Sequence, residues 1–228
     1  MTPREFQGDA VRSILLIRLY FIGDFLLATP VLEALRERFE TASIVVLIKK
    51  RARDILKGNP HVDEVLEYDG VERYHSPVWL TRLALGLRRR RFDLAVDLTG
   101  DLRSSWLMFA ADPGFRVGVN HAGLGWLLDR RIPYRSEGHI VDHLLKAVEP
   151  VGAVLDDAAP SIYLTEPERG AGAALLKRAG VDPLRPFVVL SPGANWAHRR
   201  WPPDRFALLA RAIHERLGAV PEIGRAHV

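Results

Sequence analysis

At 228 residues, 48% hydrophobic and 26% charged, the chain has the make-up of an ordinary globular protein, long enough for one large domain or two small ones. It has no cysteine, which excludes a disulfide framework, a cysteine-held metal and a thiol nucleophile, and no run approaches the ~20 apolar residues of a membrane helix. The polar start, MTPREFQGDAVR, lacks the apolar core of a signal peptide, so a cytoplasmic protein is expected; the net charge of +4 is mildly basic.

Strands and helices alternate along the chain. Ile14–Ile17 is continuously apolar, as a strand buried on both faces must be. It runs into Gly23-Asp24, where a helix is predicted from about Asp24 to Arg38, with Asp24 at its N-cap and Leu27, Val31 and Leu35 at helical spacing. A strand at Ser43–Ile48, a short helix at Ala52–Leu56, a turn at Asn59-Pro60 and a strand at Glu64–Tyr68 follow. Pro77–Arg90 reads as a helix, Asp93–Leu98 as a buried strand, Leu102–Ala111 as a helix and Arg116–Val119 as a short strand. Asn120–Gly138 reads as a loop with a brief helical insert, and His139–Val151 as a helix with Ile140, Leu144 and Val148 on one stripe. This rhythm predicts an α/β fold with a parallel, doubly wound sheet.

Near Asp156–Pro160 the pattern loosens, which divides the chain into a domain of residues 1–155 and a second, shorter α/β segment of residues 156–221. That segment offers a helix over Glu166–Ala179 capped by Thr165, a strand at Phe187–Leu190, a loop over Ser191–Pro203 and a helix over Asp204–Leu217 with Asp204 as cap. The last seven residues, EIGRAHV, look like a translated sequencing adapter. The expectation is a foreign tail at 222–228 and a natural gene that continues beyond Pro221.

Two loops carry candidate chemistry. In an open α/β sheet ligands bind beyond the carboxyl ends of the strands, so Asp24 is both a plausible helix cap and a carboxylate facing a cleft. In SPGANWAHRRWPPDRF, Gly193 lets backbone N–H groups approach an anion, and Arg199 and Arg200 add two planar cations suited to phosphate oxygens. The competing reading packs Trp201 under the loop and leaves both arginines in solvent. The block Arg88–Arg91 is open in the same way: a contact for an anionic partner, or the solvated end of a helix.

Taken together, RLYFIGDFLLATPVLEALRERF, HVDEVLEYD, FDLAVDLTGDLRSS and SPGANWAHRRWPPDRF, in this order and spacing, resemble the ADP-heptose:lipopolysaccharide heptosyltransferases, glycosyltransferase family 9, over about Ser13–Leu217. The resemblance implies the two-domain GT-B architecture: an N-terminal Rossmann-like acceptor domain, the start of a second Rossmann-like domain for the nucleotide-sugar donor, and no catalytic metal or other cofactor. It implies that Asp24 is the general base of an inverting transfer of heptose from ADP-heptose to the inner core of lipopolysaccharide. It implies donor contacts from Ser191, Gly193, Ala194, Asn195, Arg199 and Arg200, with Arg199 standing where the family typically has lysine. It implies acceptor contacts from Gly23, Gly100, Asp101, Arg103 and Ser104, whereas His139 reads as structural. A lipid-linked acceptor further implies contact with the inner face of the cytoplasmic membrane, which Arg88–Arg91 and Trp79 would assist. The family's later Gly-rich donor motif has no counterpart here, so the chain alone is expected to be inactive.

The alternatives are a GT-B transferase using another nucleotide sugar and a non-catalytic Rossmann-type binding protein. A nicotinamide-dependent oxidoreductase expects G-x-G-x-x-G after the first strand, where this chain has a single glycine followed by an acid. Nucleic acid is not expected as a partner, because acidic residues are interspersed throughout and no basic-aromatic motif for base stacking is present.

Overall fold

The computed structural model describes residues 6–68, 77–121, 124–133, 138–182, 184–194 and 196–224. The chain forms two compact units, Met1–Tyr163 and Leu164–Val228, so the division falls after Tyr163 rather than at Asp156.

In the first unit β1 (Ser13–Arg18), β2 (Ser43–Lys49), β3 (Glu64–Tyr68), β4 (Leu94–Asp97), β5 (Phe115–Asn120) and β6 (Arg130–Pro133) form one sheet in the order β3-β2-β1-β4-β5-β6. Every pairing is parallel. The helices are α1 (Ile22–Leu26), α2 (Thr29–Arg38), α3 (Pro77–Arg89), α4 (Leu102–Ala111) and α5 (Ile140–Leu145).

The apolar runs are explained by burial on both faces. Ile14 and Leu16 of β1 pack in one layer with Val31 and Leu35 of α2 and Leu144 of α5. Leu15 and Ile17 pack in the other with Leu87 of α3 and Leu107 and Met108 of α4. The strand order turns back between β1 and β4, so the crevice of this sheet opens beyond the carboxyl ends of those two strands.

Three expectations change. The helix expected over Asp24–Arg38 is two helices, because proline at position 30 has no N–H to donate and its ring would clash with the Leu26 carbonyl of a continuous helix. Asp24 is therefore the third residue of α1, after the N-cap Phe21, and not the cap itself. Within the expected loop 120–138 the chain makes both the helical turn Gly125–Leu127 and the strand β6, whose Arg-Arg-Ile-Pro sequence gives no apolar signal because it sits at the sheet edge. The helix expected over His139–Val151 is α5 followed by a separate 3-10 turn, Glu149–Val151, and the His139 Nδ1 caps α5 by accepting the Val141 N–H at 3.3 Å.

The second unit contains α6 (Glu166–Arg178), β7 (Phe187–Leu190), α7 (Pro203–Leu217) and β8 (Val220–Ile223). Thr165 is the N-cap of α6 as expected, and Glu168 closes a capping box with it, the Thr165 N–H and hydroxyl both donating to Glu168 at 2.9 and 2.6 Å. The cap of α7 is Pro202, with Asp204 inside the first turn rather than at the cap. β8 pairs parallel with β7, so Glu222 and Ile223, the first residues of the adapter-like heptapeptide, extend this sheet. Its core is small: Leu190, Ile213 and Ala219 are buried, with Val188, Phe206 and Ala210 against them.

Candidate active site

A cleft of about 170 Å³ opens at the crevice of the first unit, lined among others by Arg18, Tyr20, Asp24, Thr99, His121 and His143. Asp24 comes from α1 and His143 from α5, and the others from the carboxyl end of a strand or the residues just after it. Arg18 ends β1 and is 5% exposed, its guanidinium donating to the Leu98 carbonyl and lying 4.5 Å from the Tyr20 ring centre. Asp24 is half-buried in the cleft wall, and its carboxylate accepts the Phe21 N–H at 3.3 Å. That bond fixes the side chain across the first turn of α1 while leaving carboxylate oxygen capacity for another donor. Gly23, expected to permit a tight turn, has ordinary helical backbone; its Cβ position is open space, so what it contributes is room beside Asp24.

Beneath the cleft lies a carboxylate that the sequence reading assigned no role. Asp97, last in β4, has no exposure. One of its oxygens accepts the N–H groups of Thr99 and Gly100 at 2.8 and 3.1 Å, and the other accepts the Ser104 hydroxyl at 2.8 Å. Burial pushes its pKa from 3.8 up to about 6, against the lowering effect of those hydrogen bonds. Gly100 is left-handed with φ +69°, and a Cβ there would sit 2.4 Å from the Val119 carbonyl, so the β4–α4 loop is pressed onto β5. The Thr99 hydroxyl accepts the Leu19 N–H at 2.8 Å and joins this loop to the segment leading to Asp24.

The residues expected on the acceptor side take distinct places. Asp101 caps α4, accepting the N–H groups of Arg103 and Ser104 at 3.0 and 2.9 Å, and its other oxygen receives the Arg103 guanidinium at 2.7 Å. Burial alone would raise Asp101, but these bonds and the Arg103 charge hold it below the usual carboxylate range. Ser104 is fully buried and bonded to Asp97, so it supports the loop instead of facing a ligand, contrary to expectation. Lys49, at the end of β2, has its Nζ 4.9 Å from the Phe21 ring centre; burial and then the charge of Arg103 lower its pKa, opposed by Asp101 and Asp24. The crevice thus joins the half-buried Asp24 carboxylate, and Asp101 with its own partner Arg103, to several cations. Of these, the sequence reading found Asp24 and Arg103 and missed Arg18 and Lys49, although their positions as the last residues of apolar strands were a usable signal.

In the second unit Ser191, Gly193 and Ala194 follow β7 directly. The Arg200 Nε donates to the Ala194 carbonyl at 2.8 Å, curling the loop on itself, while Arg199 ends the turn Ala197–Arg199 exposed. Trp201 packs edge-on against Phe206 at 5.1 Å, and both arginines are exposed, with Arg200 bracing the loop through its bond to Ala194. Asn195 lies outside the described residues.

Residues 80–220, more than half of the chain, match the model of the family described as glycosyltransferase family 9 (heptosyltransferase). The chain belongs to glycosyltransferase family 9. It is 23% identical over 205 residues to lipopolysaccharide heptosyltransferase 3 of Escherichia coli, covering 86% of this chain and 59% of that protein. Its fold is that of the family 9 glycosyl transferase from Veillonella parvula, with a TM-score of 0.82 at 22% identity over 96% of this chain and 64% of that one. It is also that of E. coli ADP-heptose lps heptosyltransferase II, with a TM-score of 0.72 at 21% identity over 92% of this chain and 63% of that one. The chain therefore spans about three-fifths of the length of such relatives. The α/β, GT-B-type expectation holds: the sheet of the first unit and the start of a second α/β unit both match the fold of family 9.

Proposed function

We propose that this family 9 chain carries the acceptor domain and part of the donor domain of an inverting transferase that moves heptose from ADP-heptose to the inner core of lipopolysaccharide. The observation that supports this most is Asp24: a half-buried carboxylate in the wall of the crevice at the sheet's switch point, beside Arg18, Tyr20 and His121.

The chemistry asks for one base. The Asp24 carboxylate takes the proton of an acceptor hydroxyl as that oxygen forms a bond to the donor's anomeric carbon from the face opposite the diphosphate. The bond from that carbon to the diphosphate oxygen breaks, and ADP leaves with the electron pair. Arg103, Lys49 and Arg18 give the crevice a positive character suited to an anionic sugar acceptor, and the loop after β7, with Gly193, Ala194, Asn195, Arg199 and Arg200, is assigned to the departing diphosphate. Activity is proposed for the whole protein, since the chain spans three-fifths of its relatives' length. The test is transfer by the whole protein from ADP-heptose, compared with other nucleotide sugars, onto a truncated core acceptor. Transfer only from ADP-heptose, with inversion at the anomeric carbon, fits the proposal; preference for another donor, or retention, rejects it.

A further inference from the structure

Exposed apolar side chains ordinarily lie singly, but on α3 and α4 they line up. Val78, Arg82, Leu85 and Arg89 follow one stripe of α3 at i, i+4, i+7 and i+11, and Leu102, Trp106 and Phe109 one stripe of α4 at i, i+4 and i+7. The two helices pack on each other over the same face of the sheet, with Leu87 and Leu107 turned inward. Both stripes face away from the core, and their apolar side chains are exposed from 40% at Trp106 to 68% at Val78. Such a run of apolar surface marks an interaction site.

Among the described residues the unpaired charges on this face have one sign. Neither helix contains an aspartate or glutamate. Among the described residues the acids that flank them are already engaged: Asp101 holds Arg103 at 2.7 Å, Asp112 holds Arg88 at 3.2 Å, and Glu67, beside Arg82, holds Arg53 at 2.6 Å. Arg90, just past α3, is held by Glu64. Among the described residues Arg82 and Arg89 make no ion pair, and they lie in the stripe between and beside Val78 and Leu85. The basic block thus divides: Arg88 and Arg90 brace the fold while Arg89 joins Arg82 on the open face. Trp79 points elsewhere, packing edge-on against Tyr68 at 5.2 Å.

We infer that the outward face of α3 and α4 docks on an anionic lipid bilayer, with Val78, Leu85, Leu102 and Trp106 entering the headgroup boundary and Arg82 and Arg89 meeting lipid phosphates. Apolar side chains edged by cations, with a tryptophan among them, match the apolar-to-charged gradient at that depth. A second copy of the chain fits less well, because a two-fold contact through this face would set Arg82 and Arg89 against cations of the same stripe.

The test uses the 228-residue chain and vesicles that contain no saccharide, so it reads this surface independently of any sugar site. Partitioning is measured by flotation with phosphatidylcholine vesicles and with vesicles that also contain phosphatidylglycerol. The expected result is binding to the anionic vesicles alone, released by salt and lowered about five-fold for each arginine removed in Arg82→Ala and Arg89→Ala. Leu85→Gln with Leu102→Gln should lower it further with circular dichroism unchanged. The charge-matched control Arg178→Ala with Arg211→Ala, exposed arginines of the second unit, should bind as the parent does. Equal losses in the control pair, no binding at low salt, or a dimer that Leu85→Gln dissociates would overturn the inference.

Discussion

The Thr99 hydroxyl accepts the backbone N–H of Leu19 at 2.8 Å, a bond that ties together the two loops that bound the crevice, one after β1 and one after β4, alongside the Arg18 guanidinium on the Leu98 carbonyl. Thr99 is 2% exposed and Leu19 equally buried, so removing the hydroxyl strands an N–H away from water. Thr99→Val, which keeps the shape, is predicted to cost about 1–3 kcal/mol in chemical denaturation. An unchanged midpoint would show that the bond does not hold the loops.

Asp97 gives a pH signature. Its folded pKa, about 6, lies above the unfolded value of 3.8, so the folded state binds the proton more tightly. The stability tied to this group is fully present below about pH 4 and is lost as pH rises through about 6, a change on the order of 3 kcal/mol. The difference in unfolding free energy between the parent chain and Asp97→Asn should therefore shift in the variant's favour across this window. A difference independent of pH would contradict the assignment. Asp97→Ala is a separate case: it abandons the Thr99 and Gly100 N–H groups and should destabilise by about 2 kcal/mol or more at every pH.

Gly100→Ala tests the packing of the same loop. The left-handed backbone and the 2.4 Å approach to the Val119 carbonyl leave no place for a methyl group, so a loss of roughly 2 kcal/mol or more is expected by thermal or urea unfolding. Gly23→Ala is the contrast: with ordinary helical backbone and open space at its Cβ, it should leave stability unchanged or slightly raised. If the two variants unfold alike, the strain is not at Gly100.

Arg116 and Asp129 form an ion pair at 3.6 Å with both side chains 2% exposed, and the Asp129 carboxylate also accepts the Arg116 N–H at 2.9 Å. Arg116→Ala leaves a buried carboxylate without its cation and should cost about 3–5 kcal/mol. Arg90→Ala, which breaks a solvent-exposed pair with Glu64, should cost no more than about 1 kcal/mol. Equal effects in denaturant titrations would show that burial does not separate the two pairs.

The sequence carried the sheet because strands buried on both faces must be continuously apolar, and β1, β2 and β4 are. It carried α4 and α6 because each has a polar cap and an orderly run behind it. It did not carry β6 or β8, edge strands containing proline whose partly exposed residues need not be apolar. The break between α1 and α2 was written in Pro30, but the apolar spacing of Leu27, Val31 and Leu35 runs straight across it. At the site, the Gly-Asp turn was visible as a local signal. Asp97 was not, because a buried aspartate ending an apolar strand has no pattern until the loop folds back and its N–H groups converge on the carboxylate.

The central claim is that Asp24 is the base of a heptosyl transfer. The direct measurement is the rate of transfer from ADP-heptose to a truncated core acceptor by the whole protein and its Asp24→Asn variant, with binding of acceptor followed separately. The account predicts a fall in kcat of roughly 100- to 10,000-fold with acceptor affinity nearly kept, as removal of a general base requires. An Asp24→Asn enzyme that transfers heptose at the parent rate would contradict it.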